Sequence, residues 1–110
     1  MSYQYGLYQG KLQRDKALER VERNAEEAWK ESAREAVERL AAIRDEFTTD
    51  AVWTMVDRMG LKTHEPRAMG AIMRRAASEG ICEATDRTRR SVRPECHCRP
   101  IRVWRSLICR

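Results

Sequence analysis

The sequence predicts a mainly α-helical protein in which a long N-terminal helix precedes a winged helix-turn-helix domain with a small β-hairpin. Three observations support this prediction. Residues 11–46 contain neither proline nor glycine, residues 47–80 carry two shorter helical patterns that each end at a glycine, and residues 81–85 and 100–107 alternate as strands do. We therefore divide the chain into a flexible tail (residues 1–10), a long helix (11–46) and a winged domain (47–110).

The long helix is indicated by its composition and by an apolar seam. Residues 11–46 are rich in alanine, glutamate, arginine and lysine, which all favour helix. The seam follows the three- and four-residue spacing of packed helices and consists of Trp29, Ala33, Ala36, Leu40 and Ile43. A helix of this length measures about 50 Å, and the domain after it is too small to cover the seam. We therefore expect a homodimer that buries these five residues against a second copy. The alternative is a monomer whose helix folds back near Asn24 or Ser32.

The first helix of the helix-turn-helix is predicted over residues 49–59 by the residues at its start. Thr48 is a suitable N-cap, because its hydroxyl can accept a hydrogen bond from a free backbone N–H of the first turn. Phe47 and Val52 have the spacing of a hydrophobic staple. Asp50 adds a negative charge near the positive end of the helix dipole.

The second helix is predicted to begin at Pro66, which suits a first helical position, and to end at Gly80. Its apolar stripe consists of Met69, Ile72, Met73 and Ala76. Because this stripe faces the core, the outer side of the helix carries arginines instead, namely Arg67, Arg74 and Arg75.

The pattern changes from helical to alternating after this helix. Residues 81–85 and residues 100–107 each alternate between two faces, which predicts two short strands joined by a long loop. A two-stranded ribbon is not stable alone and needs a helical layer beneath it, which the two preceding helices provide.

The positive charge of the chain is concentrated in this last region. The net charge is +5, and residues 81–110 carry eight arginines and no lysine against three acidic residues. The planar guanidinium of arginine suits bidentate hydrogen bonding to phosphates and insertion into a minor groove. We therefore expect the domain to bind double-stranded DNA, with the second helix in the major groove and the wing on phosphates or in the minor groove. The predicted DNA-binding residues are Arg67, Arg74 and Arg75 of the helix and Arg87, Arg89, Arg90 and Arg93 of the wing.

Two segments of the domain also resemble known proteins. Residues 65–70 (Glu-Pro-Arg-Ala-Met-Gly) and 93–104, within the stretch 47–104, resemble a family of small proteins from actinobacterial phages and prophages. Those proteins are described only as hypothetical or as helix-turn-helix domains. The resemblance implies a winged-helix-like fold and a phage origin, with transcriptional or replication control as the expected role, and it brings no established activity. The residues before Asp45 lie outside it.

Other classes of function have weaker signals. Four cysteines (Cys82, Cys96, Cys98 and Cys109) lie near the end of the chain, but their spacing is not the usual pairing of a zinc site, so we expect free thiols and no metal. The two histidines have no companion nucleophile, and no glycine-rich phosphate loop is present. We therefore expect neither an enzyme nor a cofactor. Because no apolar run approaches the roughly 20 residues of a membrane span and no secretory signal is evident, we expect a cytoplasmic protein without membrane contact.

A function of a different class stays open beside DNA binding. Winged domains also serve as protein-interaction modules, and in that case the long helix with Trp29 would be the working surface. The arginine-rich wing would then contact an acidic host protein, which the chain would inhibit.

Overall fold

The computed structural model describes the backbone of residues 2–110 and the side chains of residues 16–110. In chain order the elements are α1 (Ser2–Ile43), β1 (Glu46–Phe47), α2 (Thr49–Arg58), α3 (Ala68–Ser78), β2 (Cys82–Arg90), a short 3-10 helix (Pro94–Cys96) and β3 (Pro100–Ser106). The prediction of a mainly α-helical protein with one long N-terminal helix and a small antiparallel β region is confirmed. Residues 2–10, predicted to be a flexible tail, belong to α1, so the long helix begins at Ser2 rather than at residue 11.

Helix α1 has two parts that differ in their surroundings. It is 42 residues long, which corresponds to about 63 Å, and the molecule measures 67 Å along its longest axis. In its first described part, residues 16–28, nearly every side chain is exposed, and Leu18 and Val21 are 57% and 64% exposed. From Trp29 onward one face is buried, and both α2 and α3 pack against it.

The burial of this second part corrects the argument for a homodimer. Four of the five residues predicted to form the dimer are buried in the core of the monomer, namely Trp29, Ala33, Ala36 and Leu40, whereas Ile43 is 71% exposed. The assumption that the domain is too small to cover the seam is therefore wrong, because α2, α3 and the sheet cover it. The compact unit also includes α1 from Trp29 to Ala41, whereas the predicted domain began at residue 47.

Helix α2 begins and packs as its capping residues predict, apart from one hydrogen bond. The N-cap Thr48 is extended, with φ −119° and ψ 169°, but its hydroxyl makes no capping hydrogen bond. Phe47 and Val52, the two residues of the predicted hydrophobic staple, both lie in the buried core. The start of the helix is therefore fixed by apolar packing.

Helix α3 ends in a glycine motif and starts slightly later than predicted. Gly80 has φ +80°, which a residue with a side chain adopts only at a cost. Its N–H donates to Ala77 O, and the N–H of Ile81 donates to Ala76 O, which is the Schellman arrangement. Pro66 lies in a tight turn before the helix, and Arg67 is the N-cap.

The sheet contains a third strand that the sequence did not predict. Strands β2 and β3 pair antiparallel from Cys82 opposite Ser106 to Arg90 opposite Pro100, with an irregularity between Ala84 and Thr88. The two-residue strand β1 pairs with the other edge of β3, so the order is β1-β3-β2. Strand β2 also continues to Arg90, beyond the alternating residues 81–85, because residues 88–90 pair with β3 although all of residues 86–90 are exposed.

Candidate nucleic-acid interface

The outer side of α3 carries the three arginines that the sequence assigned to it. Met69, Met73 and Ala76 are buried against the core. Arg67, Arg74 and Arg75 are all exposed as a consequence of the helical period. The prediction of which face of this helix is buried is therefore confirmed, and the arginines are accessible to a partner.

These three arginines differ in their electrostatic surroundings. The Arg75 Nε lies 3.1 Å from Glu79 Oε1, and Glu79 Oε2 lies 3.5 Å from a guanidinium nitrogen of Arg34 in α1. Arg67 and Arg74 form no ion pair with any of the side chains that the structure describes. Because Arg75 already has an acidic neighbour, Arg67 and Arg74 are the better candidates for contacts with an anionic ligand.

Helix α1 holds the connection that leads into α3. The Glu26 carboxylate accepts hydrogen bonds from the Thr63 hydroxyl at 2.7 Å and from the His64 backbone N–H at 2.8 Å. These two hydrogen bonds, from His64 first and Thr63 second, lower the pKa of Glu26 below its ordinary value. The N-terminus of α3 is therefore positioned by a contact between residues far apart in sequence.

The turn at the end of the β2–β3 hairpin is attached to α2. The Asp50 carboxylate accepts hydrogen bonds at 2.8 Å from both the Ser91 hydroxyl and the Val92 N–H. Ser91 is only 2% exposed. A buried hydroxyl with a charged acceptor fixes the turn, because breaking the pair would leave a buried polar group without a partner.

Arg93 belongs to this attachment. Its guanidinium lies 4.6 Å from the centre of the Trp53 ring, and one of its nitrogens lies 3.2 Å from Asp57 Oδ2. Trp53 packs in turn on Trp29, with 5.4 Å between ring centres. The Arg93 side chain is 19% exposed. Arg93, predicted to contact DNA, is instead committed to contacts that hold the hairpin on α2.

Two further wing arginines lie in ion pairs on the sheet. Glu46 of β1 accepts a hydrogen bond from Arg87, and a guanidinium nitrogen of Arg89 lies 3.9 Å from the same carboxylate. The hydrogen bond from Arg87 is the main reason that the pKa of Glu46 is lowered and that of Arg87 is raised. The positive charge of Arg87 is therefore offset by the Glu46 carboxylate, whereas Arg89 lies at the outer limit of an ion pair with it.

Three other arginines, near the turn of the hairpin, are exposed and form no ion pair with a described side chain. Arg90 lies opposite Pro100, and Arg102 lies opposite Thr88, so both are near the turn. Arg99 is also exposed. Within residues 16–110 none of these three forms an ion pair. We call residues 88–90 and 99–102 the hairpin end. Arg102 was not among the predicted DNA-binding residues, because only the strand register brings it to the same end of the hairpin as Arg90.

The cysteines are free thiols that differ in burial. Cys82 is fully buried in the core, and this burial raises the pKa of its thiol to about 11. Cys98 is exposed, and Cys96 and Cys109 are half-buried. Over the described side chains, no three or more histidine, cysteine, aspartate or glutamate residues are grouped as metal ligands would be. Nor is any helix in the described part of the chain long and apolar enough to cross a membrane.

Comparison with known proteins adds no relative. No protein-family model, no curated protein and no solved structure matches this chain. The resemblance to small phage proteins therefore stays an expectation from the sequence. The structure itself defines the class as a mostly helical protein with a long N-terminal helix and a small antiparallel sheet of three strands.

Proposed function

We propose that this protein binds double-stranded DNA through the outer side of α3 and the hairpin end. The order of elements supports the proposal, since α1, β1, α2, α3, β2 and β3 follow one another as in a winged helix-turn-helix domain. The pairing of β1 with the free edge of β3 also agrees with that architecture. In such domains the second helix of the motif enters the major groove, and its N-terminal residues contact base edges.

The observation that carries the proposal is the set of arginines that the protein leaves unpaired. Four arginines of the domain are held by acidic or aromatic neighbours, namely Arg75, Arg87, Arg93 and Arg105. At α3 and the hairpin end, five arginines are exposed without an ion pair to a described side chain, namely Arg67, Arg74, Arg90, Arg99 and Arg102. Exposed guanidinium groups on a chain of net charge +5 suit phosphate contacts.

In this proposal, the five unpaired arginines at α3 and the hairpin end make two kinds of contact with DNA. Arg67 and Arg74 contact base edges or phosphates of the major groove, and Arg90, Arg99 and Arg102 contact the phosphates beside it. The biological role that follows is control of transcription or replication, and the sequence resemblance implies a phage or prophage as its setting. The proposal needs no homodimer, since most residues predicted to form one lie in the monomer core.

The test is a salt series of DNA binding with matched arginine variants. Fluorescence anisotropy of a labelled duplex of mixed sequence should give log affinity that falls linearly with log salt, by about 0.9 per neutralised phosphate. Replacing both Arg90 and Arg102 by alanine should flatten that slope by up to about two units. Arg105→Ala is the control, because Arg105 lies on the same sheet but is paired with Glu83. We expect it to change the slope little.

Two results would count against the proposal. Absence of any salt-dependent binding by the unmodified protein would exclude DNA binding as its function. An equal effect of Arg105→Ala and of the double variant would mean that only overall charge matters, and that the hairpin end is not an interface.

A further inference from the structure

A groove of about 540 Å³ lies between the end of α1, one side of α2 and the end of β2. Its lining includes four arginines from three elements: Arg44 follows α1, Arg58 ends α2, and Arg89 and Arg90 end β2. We call it the arginine groove. No stretch of sequence reveals this cluster, because the fold brings together residues more than forty positions apart.

The positive charge of the arginine groove is poorly compensated. Asp50 is the acidic residue in the described lining, and both of its carboxylate oxygens already accept hydrogen bonds from the hairpin turn. Arg44, Arg58 and Arg90 have no ion pair with the side chains of residues 16–110, and Arg89 lies 3.9 Å from Glu46. Like charges held together in a groove favour the binding of an anionic partner.

The same groove also exposes apolar side chains. Ile43 is 71% exposed and Val92 is 86% exposed, and both line the groove together with the half-buried Met55. A phosphate backbone would pair with the arginines but would leave these apolar groups uncovered. A peptide that combines carboxylates with aliphatic side chains would satisfy both, since guanidinium groups bind carboxylates in bidentate geometry and apolar contact removes surface from water.

We propose that the arginine groove binds an acidic amphipathic segment of another protein. Its carboxylates pair with Arg44 and Arg58, and its aliphatic side chains cover Ile43 and Val92. This binding site lies apart from the outer side of α3 and shares Arg89 and Arg90 with the hairpin end. The protein can therefore hold a protein partner at one surface while α3 faces DNA, and Arg44 and Arg58 test the groove without touching the proposed DNA contacts.

The experiment uses the full chain and a fluorescein-labelled synthetic peptide of glutamate, leucine and alanine, in which glutamates flank a stripe of leucines. One control peptide replaces every glutamate by glutamine, and another replaces every leucine by serine. We expect the acidic amphipathic peptide to bind at least about tenfold more tightly than either control, because each control lacks one of the two complementary groups.

Matched variants locate the binding. Two double variants should each weaken peptide binding at least about tenfold. One combines Arg44→Glu with Arg58→Glu, and the other combines Ile43→Ser with Val92→Ser. Arg74→Glu on α3 is the control, being an exposed charge reversal outside the groove, and should leave peptide affinity unchanged. All five residues are exposed, so circular dichroism should show intact folding. Arg44→Gln with Arg58→Gln repeats the test if the charge reversal prevents folding.

Several outcomes would overturn the proposal. Equal binding of the glutamate and glutamine peptides would show that the groove arginines do not bind carboxylates. An equal effect of Arg74→Glu would mean that only the overall positive charge of the protein matters. Weakened duplex binding by the Arg44 and Arg58 variant, with no peptide binding by the unmodified protein, would make the groove a nucleic-acid surface. Loss of self-association in sedimentation of the same variant would assign the groove to a second copy.

Failure of DNA binding alone, with peptide binding retained, would refute the proposed function and leave this inference standing.

Discussion

Arginines that lie within a few residues of one another in the hairpin have different physical surroundings. Arg93 packs on Trp53, pairs with Asp57 and is mostly buried. Arg90 and Arg102 are exposed and lack ion pairs to the described side chains. A guanidinium that is already stacked and paired loses those contacts if it turns toward a ligand. Residue type and spacing therefore do not separate a structural arginine from a binding one.

This difference gives a prediction for single substitutions. Arg93→Ala should lower the free energy of unfolding by about 1–2 kcal/mol, because it removes a cation–π contact and a partly buried ion pair. It should leave the salt dependence of DNA binding unchanged. Arg102→Ala should do the reverse, with stability within about 0.5 kcal/mol of the unmodified protein and a flatter salt slope. Urea unfolding followed by tryptophan fluorescence and the anisotropy series measure the two effects. A stable Arg93→Ala protein with a flattened slope would make Arg93 a DNA contact.

At the level of single elements, α3 contains one glycine inside the helix and another just after it. Gly80 has φ +80° and ends the helix with the Schellman hydrogen bonds. Gly70 lies in the helix interior, where a Cβ added to it would meet only the end of the Arg74 side chain, at 3.4 Å. Gly80 is required by its backbone conformation, whereas Gly70 is not.

Alanine at these two positions should therefore have opposite effects. Gly70→Ala should raise the free energy of unfolding by about 0.5–1 kcal/mol, because alanine costs less backbone entropy in a helix. Gly80→Ala should lower it by roughly 1–2 kcal/mol, since a left-handed backbone disfavours a Cβ. Urea unfolding curves of the two variants form a matched pair. A destabilising Gly70→Ala would show that another group approaches α3 more closely at that position than Arg74 does.

Across the whole molecule, α1 connects an exposed segment to the core. Residues 16–28 are mostly exposed, whereas the helix from Trp29 to Ala41 contributes six residues to the buried cluster. Three of those six are alanines, Ala33, Ala36 and Ala41. Small side chains allow α2 and α3 to pack closely on this face, so α1 from Trp29 to Ala41 is part of the domain's core.

Leucines in the two halves of α1 test this division. Leu40 is 3% exposed, so Leu40→Ala should lower the free energy of unfolding by about 2–4 kcal/mol through lost burial and a remaining cavity. Leu18 is 57% exposed, and Leu18→Ala should change the free energy of unfolding by less than about 0.5 kcal/mol. Thermal and urea unfolding measure both. If Leu40→Ala leaves stability unchanged but converts a dimer to a monomer in sedimentation, the seam belongs to a dimer interface after all.

The helices and the hairpin were predictable because their signals are local. The Phe47–Val52 spacing, the glycine after each short helix and the switch to alternation involve neighbours within a few positions, and local sterics and hydrogen bonds act on them in any context. Strand β1 was missed because two residues carry no periodicity, and only the free edge of β3 makes Glu46 and Phe47 a strand.

The partner of each buried face and of each charge depended on contacts between distant parts of the chain. An apolar period records that one side of a helix is buried, but it does not say against which surface, so the Trp29 to Leu40 seam was assigned to a second copy although its own domain covers it. In the same way, the availability of an arginine depends on whether folding brings it a partner such as Asp57 or Glu46. The arginine groove arises for the same reason, because tertiary packing brings together charges that the sequence keeps apart.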